Sequence, residues 1–277
     1  MAQLKLKAWL TRAHLAEPRS MAATLFFAAT LLGGAGTHAA PAGNVPEWWG
    51  NRIGRENVVL PGYEPIRVEG SAVKLYERSY IWSNGFLPGK IVSRNGDLAT
   101  DLAIFASAGG TPIELHCKSV TLSVDGTGAN ALVTAEGEGP NLDVKVTTRI
   151  EYDGLATVSL ELRASKPETY DELSIRASLP RNSWTTLLGF RAGEIRAQKN
   201  RHDVIAVPYK GDLLNALSIG DGDRSFWWIA DSVAGWHIDS GRVATVISQD
   251  GETLKLTQKI INSPTKIAGA VKYEFSF

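Results

Sequence analysis

From Pro65 to the last residue the dominant hydrophobic period is two. Apolar and polar side chains alternate through 72–82, 113–117, 119–125, 142–152, 156–163, 173–179, 243–248, 254–261 and 271–277. A helix brings side chains back to one face about every 3.6 residues, whereas a strand sends successive side chains to opposite faces. Alternation therefore describes strands with one buried and one wet face, as in antiparallel sheets. Between the runs stand Ser93-Arg-Asn-Gly96, Asp125-Gly126, Asp153-Gly154, Gly220-Asp-Gly-Asp223 and Asp250-Gly251. These are the residue types that close hairpins. No segment after residue 40 carries a helical stripe over three turns, leaving 97–104 and 210–216 as places where a short helical turn fits. The runs predict about twelve to sixteen strands in a single domain over 40–277, an all-β chain folded as a large antiparallel β-sandwich.

The composition suits such a core. Apolar residues are 44% of the chain, too many for a charge-extended disordered polymer. The 29 basic and 29 acidic residues cancel, and no long run of like charge occurs, which argues against nucleic acid as a partner. The first 39 residues read as a signal peptide. Lys5, Lys7, Arg12 and Arg19 precede the apolar run Met21–Leu32, and small residues follow it, with Thr37 and Ala39 placed for cleavage after Ala39. That run is shorter than the ~20 residues needed to span a bilayer. No cysteine directly follows it, which excludes a lipoprotein anchor. The expectation is a secreted or periplasmic protein with no transmembrane segment in its mature chain. Without the leader, 25 basic and 28 acidic residues remain, a net charge of −3.

Motifs of catalysis are scarce. Cys117 is the only cysteine, so internal disulfides and Cys-based zinc clusters are excluded. Alternation sets Ile113, Leu115 and Cys117 on one face, and the thiol is expected to pack as a small buried apolar group. His116, His202 and His237 are scattered, with no metal-ligand spacing, and no metal or cofactor is expected. Gly220–Ser225 has the outline of a calcium loop but lacks its remaining acidic ligands, and a hairpin turn accounts for it. Neither a Gly-x-Ser-x-Gly elbow nor a phosphate-cradling glycine loop occurs. The adjacent acidic pair Asp171-Glu172 would point to opposite faces of a regular strand and could not line one groove.

Aromatic residues stand out against this background. Trp48, Trp49, Trp82, Trp184, Trp227, Trp228 and Trp236 all lie beyond the leader. In Phe226-Trp-Trp-Ile-Ala230 a strand sends Phe226 and Trp228 one way and Trp227 and Ile229 the other. One face suits the core; the other needs a loop, a partner or a ligand to cover it. Flat rings suit the apolar faces of sugars, so Trp227, Trp228, Trp236 and Trp82 are the candidate carbohydrate-binding residues. Of Trp227 and Trp228, one is expected in the core and the other opposite, near Trp236 or Trp82.

Three stretches resemble the N-terminal β-sandwich domain of glycoside hydrolase family 123-like proteins. They are Trp48-Trp-Gly-Asn-Arg-Ile-Gly-Arg through Gly70, then Val73-Lys-Leu-Tyr-Glu-Arg-Ser-Tyr-Ile-Trp82 with Leu87-Pro-Gly-Lys, and most specifically Leu217-Ser-Ile-Gly-Asp-Gly-Asp-Arg-Ser-Phe-Trp-Trp-Ile-Ala-Asp-Ser-Val-Ala-Gly-Trp236. The resemblance runs over about 46–277 and implies a sandwich in the style of carbohydrate-binding and galactose-mutarotase-like domains. In that family a (β/α) barrel follows and supplies an Asp-Glu pair for substrate-assisted cleavage of N-acetylated amino sugars. Asp171-Glu172 does not match the barrel motif, and no strand–helix alternation occurs in these 277 residues. The resemblance therefore implies a non-catalytic carbohydrate-associated module, with carbohydrate or a catalytic barrel domain or protein as its partner. The alternatives are part of a glycoside hydrolase, truncated or acting with a separately encoded barrel, and a complete small glycan-degrading enzyme using Asp231, His237 and Asp239. Fold analogy alone does not decide among them.

Overall fold

The computed structural model describes residues 57–94, 96–180, 186–190, 203–204, 207–221 and 223–277. The leader, Trp48, Trp49, Trp184 and His202 lie outside these described residues. Within them the chain is all strand, and no described helix is long and apolar enough to cross a membrane. Strands β1 (Arg67–Glu69), β2 (Ala72–Leu75), β3 (Arg78–Ile81), β4 (Lys90–Ser93) and β5 (Gly96–Ala108) form a meander, onto which β6 (Thr111–Ile113) folds back. A second meander follows with β7 (His116–Val124), β8 (Asn130–Gly139), β9 (Leu142–Glu151) and β10 (Ala156–Ala164). The chain then crosses between sheets. It runs through β11 (Glu168–Tyr170), β12 (Glu172–Pro180), β13 (Thr186–Phe190), β14 (Asp203–Val204), β15 (Tyr209–Gly211), β16 (Ala216–Gly220) and β17 (Ser225–Ile229). It ends with β18 (Thr245–Asp250), β19 (Thr253–Ile261), β20 (Thr265–Ile267) and β21 (Ala270–Ser276).

Two large antiparallel sheets result. One is ordered β1-β2-β3-β4-β5-β12-β19-β18-β15, the other β14-β13-β16-β17-β21-β10-β9-β8-β7, and β11 pairs with β20 apart from both. Alternation explains how they pack. In β9, Leu142, Val144, Val146 and Ile150 are buried while Asp143, Lys145 and Arg149 are exposed. Their rows meet Val73, Tyr80, Ile91, Leu102, Ile175 and Leu256 from the first sheet in one apolar core. Burial of such side chains stabilises by roughly 1.5–3 kcal/mol each, less the entropy of fixing them. The fold is an all-β sandwich.

Three local expectations are corrected. The stretch 97–104 lies inside β5, and 210–216 runs from β15 through a bend into β16; neither is helical. The run 72–82 is a hairpin of β2 and β3 closed at Tyr76-Glu77, where Glu77 takes a φ of 54°. Ile113 and Cys117 do not share a strand, because residues 114–115 carry the chain from β6 in one sheet to β7 in the other. Cys117 is consequently only half-buried, with its thiol against Ser119 O at 3.5 Å. Desolvation pushes its pKa upward, away from the reactive thiolate.

The acidic pair is divided as a strand start divides it. Asp171 accepts the Gly110 N–H at 2.7 Å. Glu172 instead pairs with Lys259 at 2.8 Å and Arg176 at 3.1 Å on the outer face of β12. These two carboxylates do not converge.

Candidate functional site

Of the four tryptophans singled out from the sequence, three are interior. Trp228 is 1% exposed and stacks on Phe275 at 4.8 Å, with Trp236 tilted against it at 6.5 Å. Trp82 is equally buried, and Trp236 nearly so. Trp82, Trp228 and Trp236 thus lie in the core, with only Trp236 reaching the wall of a different cleft beside Val233 and Asp239. The physical reason is parity: Trp228 shares its face with Phe226, and that face looks into the sandwich. Trp227, on the opposite face, is 42% exposed. Its indole N–H donates to Ser225 Oγ at 2.8 Å, which orients the ring and leaves its plane open. Neither Trp236 nor Trp82 accompanies it.

Trp227 instead borders a cleft of about 530 Å³. Four turns distant in sequence supply its walls: Tyr76-Glu77 between β2 and β3, Ser93-Arg94 between β4 and β5, Asp153-Gly154-Leu155 between β9 and β10, and Asp223-Arg224 between β16 and β17. Tyr63 closes one side. It sits at the end of Leu60-Pro-Gly-Tyr63, where Tyr63 N–H donates to Leu60 O at 3.1 Å and Gly62 has a φ of 98°. Proline second and a positive-φ glycine third define a type II turn, and this one presents the tyrosine. Tyr63 is 43% exposed, Tyr76 is 47% exposed, and their rings meet edge-on at 6.2 Å. Tyr152 backs Tyr63 at 5.1 Å.

The turns are tied across the two sheets. Tyr80 Oη donates to Gly154 O at 2.6 Å, and Arg78 Nη1 donates to the same carbonyl at 3.1 Å. Burial pushes the Tyr80 hydroxyl pKa upward, so it stays a neutral donor. Gly154 has a φ of 95°, and the Arg78 guanidinium lies where a Cβ would stand. In the β16–β17 turn Asp221 accepts the Arg224 and Asp223 backbone N–H groups at 2.9 and 3.1 Å. The Arg224 side chain then spans from Asp221 to Ser93 O, 3.3 Å away on the other sheet. The Arg224 backbone donor, followed by the Arg224 side chain and the Asp223 N–H, holds the Asp221 carboxyl below its ordinary range. Arg94 pairs with Glu77 at 3.1 Å.

This arrangement presents exposed rings and polar edges on a braced rim. Its three carboxylates, Glu77, Asp153 and Asp223, are exposed. Glu77 is ion-paired, and Asp153 accepts the Leu155 N–H at 3.0 Å. Asp231, His237 and Asp239 lie exposed in the connection between β17 and β18, with Asp239 paired to Arg242 at 3.4 Å. Among the described residues no group of three or more His, Cys, Asp and Glu gathers as a metal site.

Sequence reasoning reached Trp227 and missed Tyr63, Tyr76 and Arg78. The Pro61-Gly62 turn signal was present for Tyr63, whereas Tyr76-Glu77 contains none of the usual turn residues. No family model matches the chain, and no curated protein does.

Proposed function

We propose that this chain is a secreted, non-catalytic carbohydrate-associated β-sandwich module of the kind that accompanies a glycoside hydrolase barrel. The observation that carries the reading is the convergence of the exposed rings of Tyr63, Tyr76 and Trp227 on one cleft. An exposed ring with a polar edge can pack on the C–H face of a sugar while hydroxyls around it reach charged and backbone groups. The rim supplies both, and its cross-sheet bonds brace the turns beside Tyr76 and Trp227 before any ligand arrives, which lowers the ordering cost of binding. The exposure of all three carboxylates, with Glu77 ion-paired and Asp153 accepting a backbone N–H, supports a binding role rather than hydrolysis. The basic n-region and short apolar run before Ala39 support export, and the family 123-like stretches support the association with glycan degradation.

The test is a glycan-array screen of the secreted chain, run beside a hydrolysis assay on every glycan bound. Binding without turnover, lost in Trp227→Ala at an unchanged melting temperature, is the expected result. Glycosidase turnover by the pure chain that disappears on replacing a carboxylate would overturn it.

A further inference from the structure

The charge pattern around the cleft is more specific than its rings. A smaller cleft of about 250 Å³ adjoins the first, and the two share Glu77, Arg78 and Arg94 in their walls. Nearly every cation along this double groove has a carboxylate partner. Arg67 pairs with Glu64 at 3.9 Å, Arg94 with Glu77 at 3.1 Å, Arg224 with Asp221 at 3.2 Å, and Lys74 with Glu69. Arg78, at the junction, is the exception: no carboxylate among the described residues lies within ion-pair distance of it, although it is half-buried.

Its head group is nonetheless held firmly. Nη1 donates to Gly154 O at 3.1 Å and to Tyr80 Oη at 3.4 Å, and the guanidinium lies across the bare backbone of Gly154. Those bonds occupy one side of a planar group. The Nε–Nη2 edge, with two parallel N–H donors, has no acceptor among the described residues. That edge is the fork that matches a carboxylate in bidentate fashion. A partly desolvated charge without a counter-ion is costly, and a ligand carboxylate would offset that cost.

We propose that the cleft takes an acidic saccharide, one whose uronate carboxylate pairs with the Nε–Nη2 edge of Arg78 while neighbouring sugar faces pack on Tyr63, Tyr76 and Trp227. This rests on the carbohydrate-module reading and sharpens it to a substrate class. The alternative anionic source is a sulfate ester, two of whose oxygens the same fork can hold in bidentate fashion, so the titration carries both.

Calorimetric titration of the secreted chain decides the matter. The probes are oligomers of galacturonate, glucuronate and mannuronate, the same oligomers with their carboxyls reduced to alcohols, and sulfated oligosaccharides of equal length. At least one oligouronate is expected to bind tenfold or more, as a rough guide, above its reduced form, the usual scale for a charge-assisted pair. Arg78→Gln should bind both forms equally weakly. Arg78→Lys, which keeps the charge without the fork, should retain part of the preference and carries the test if the glutamine variant fails to fold. Trp227→Ala should weaken both forms by the same factor. Equal binding of charged and reduced oligomers by the wild-type chain overturns this inference and leaves the module reading standing. Tighter binding of the sulfated probe overturns the carboxylate assignment. Absence of binding to every probe overturns the inference, and absence of binding across the glycan array as well overturns the module reading with it.

Discussion

Two adjacent tryptophans in β17 have opposite environments, and their substitutions should separate stability from binding. Trp228 is buried between Phe275 and Trp236, so Trp228→Ala removes a large ring from a packed interior and should destabilise by about 3–5 kcal/mol. Trp227→Ala should cost under about 1 kcal/mol, as surface changes do. Chemical denaturation of both variants checks this, and equal losses would mean that Trp227 is a core residue. Gly154 offers a second residue-scale prediction. Gly154→Ala forces a Cβ into a backbone with φ of 95° and against the Arg78 guanidinium. It should destabilise by about 1–3 kcal/mol and weaken saccharide binding by displacing Arg78, whereas Gly251→Ala, in open space at a φ of 55°, should leave binding intact. At this scale alternation made it legible that Trp227 and Trp228 part company. Which of them faces inward depends on where the second sheet lies, and no local pattern carries that. Trp236 enters the core from the end of a connection, so no strand parity applied to it.

Among the strands, β12 lies inside its sheet between β5 and β19, and its outer face carries a charged cluster, Glu172 with Lys259 and Arg176, the last packed on the Phe105 ring. Burial alone would raise the Glu172 pKa. Hydrogen bonds from Lys259, Ser174 and Arg176, with the Lys259 charge, outweigh that and hold it below the ordinary 4.5. A carboxyl with a depressed folded-state pKa binds protons more readily when unfolded. Its stabilisation is therefore complete above the unfolded value and lost as the pH falls through the lower folded one. Glu172→Gln should accordingly lower the melting temperature at pH 7, with the gap closing as the pH falls below the ordinary carboxyl range and through the lower folded value. A gap independent of pH would mean the loss comes from packing alone. The long regular strands were legible within a residue or two, as in β9 and β10, because their burial follows unbroken parity. Parity fails where the backbone departs from extension. In β2 and β3 the buried positions switch from Val73 and Leu75 to Tyr80 and Trp82, an odd-to-even change that marks the silent turn at Tyr76-Glu77. In β5 the left-handed Asp101, with a φ of 53°, and register shifts against both neighbours place Leu98, Ala99 and Leu102 together in the core. Their spacing imitates a helical turn, hence the unfulfilled expectation over 97–104.

The cleft belongs to the whole molecule, since four turns and the Leu60–Tyr63 loop meet there although more than 160 residues separate the first contributor, Tyr63, from Trp227. No single run could reveal it: each turn was readable as a turn, but their meeting at one end follows from the order of strands in two sheets. Arg78 and Tyr80 on one sheet hold Gly154 on the other, while Arg224 returns to Ser93. The site thus exists only when the sheets are packed, and a ligand bound there is bound to the native state alone. Such a ligand stabilises in proportion to ln(1 + [L]/Kd), about 2.7 kcal/mol at a hundredfold excess over Kd. Because the two sheets share one core, thermal unfolding should show one main transition whose midpoint rises with saturating saccharide. Trp228→Ala should lower that midpoint and keep the ligand-induced rise; Trp227→Ala should keep the midpoint and lose most of the rise. A rise retained in Trp227→Ala but abolished in Trp228→Ala would place the saccharide away from this cleft, because the exposed ring would then contribute nothing while the buried one, beyond a ligand's reach, shaped the true site.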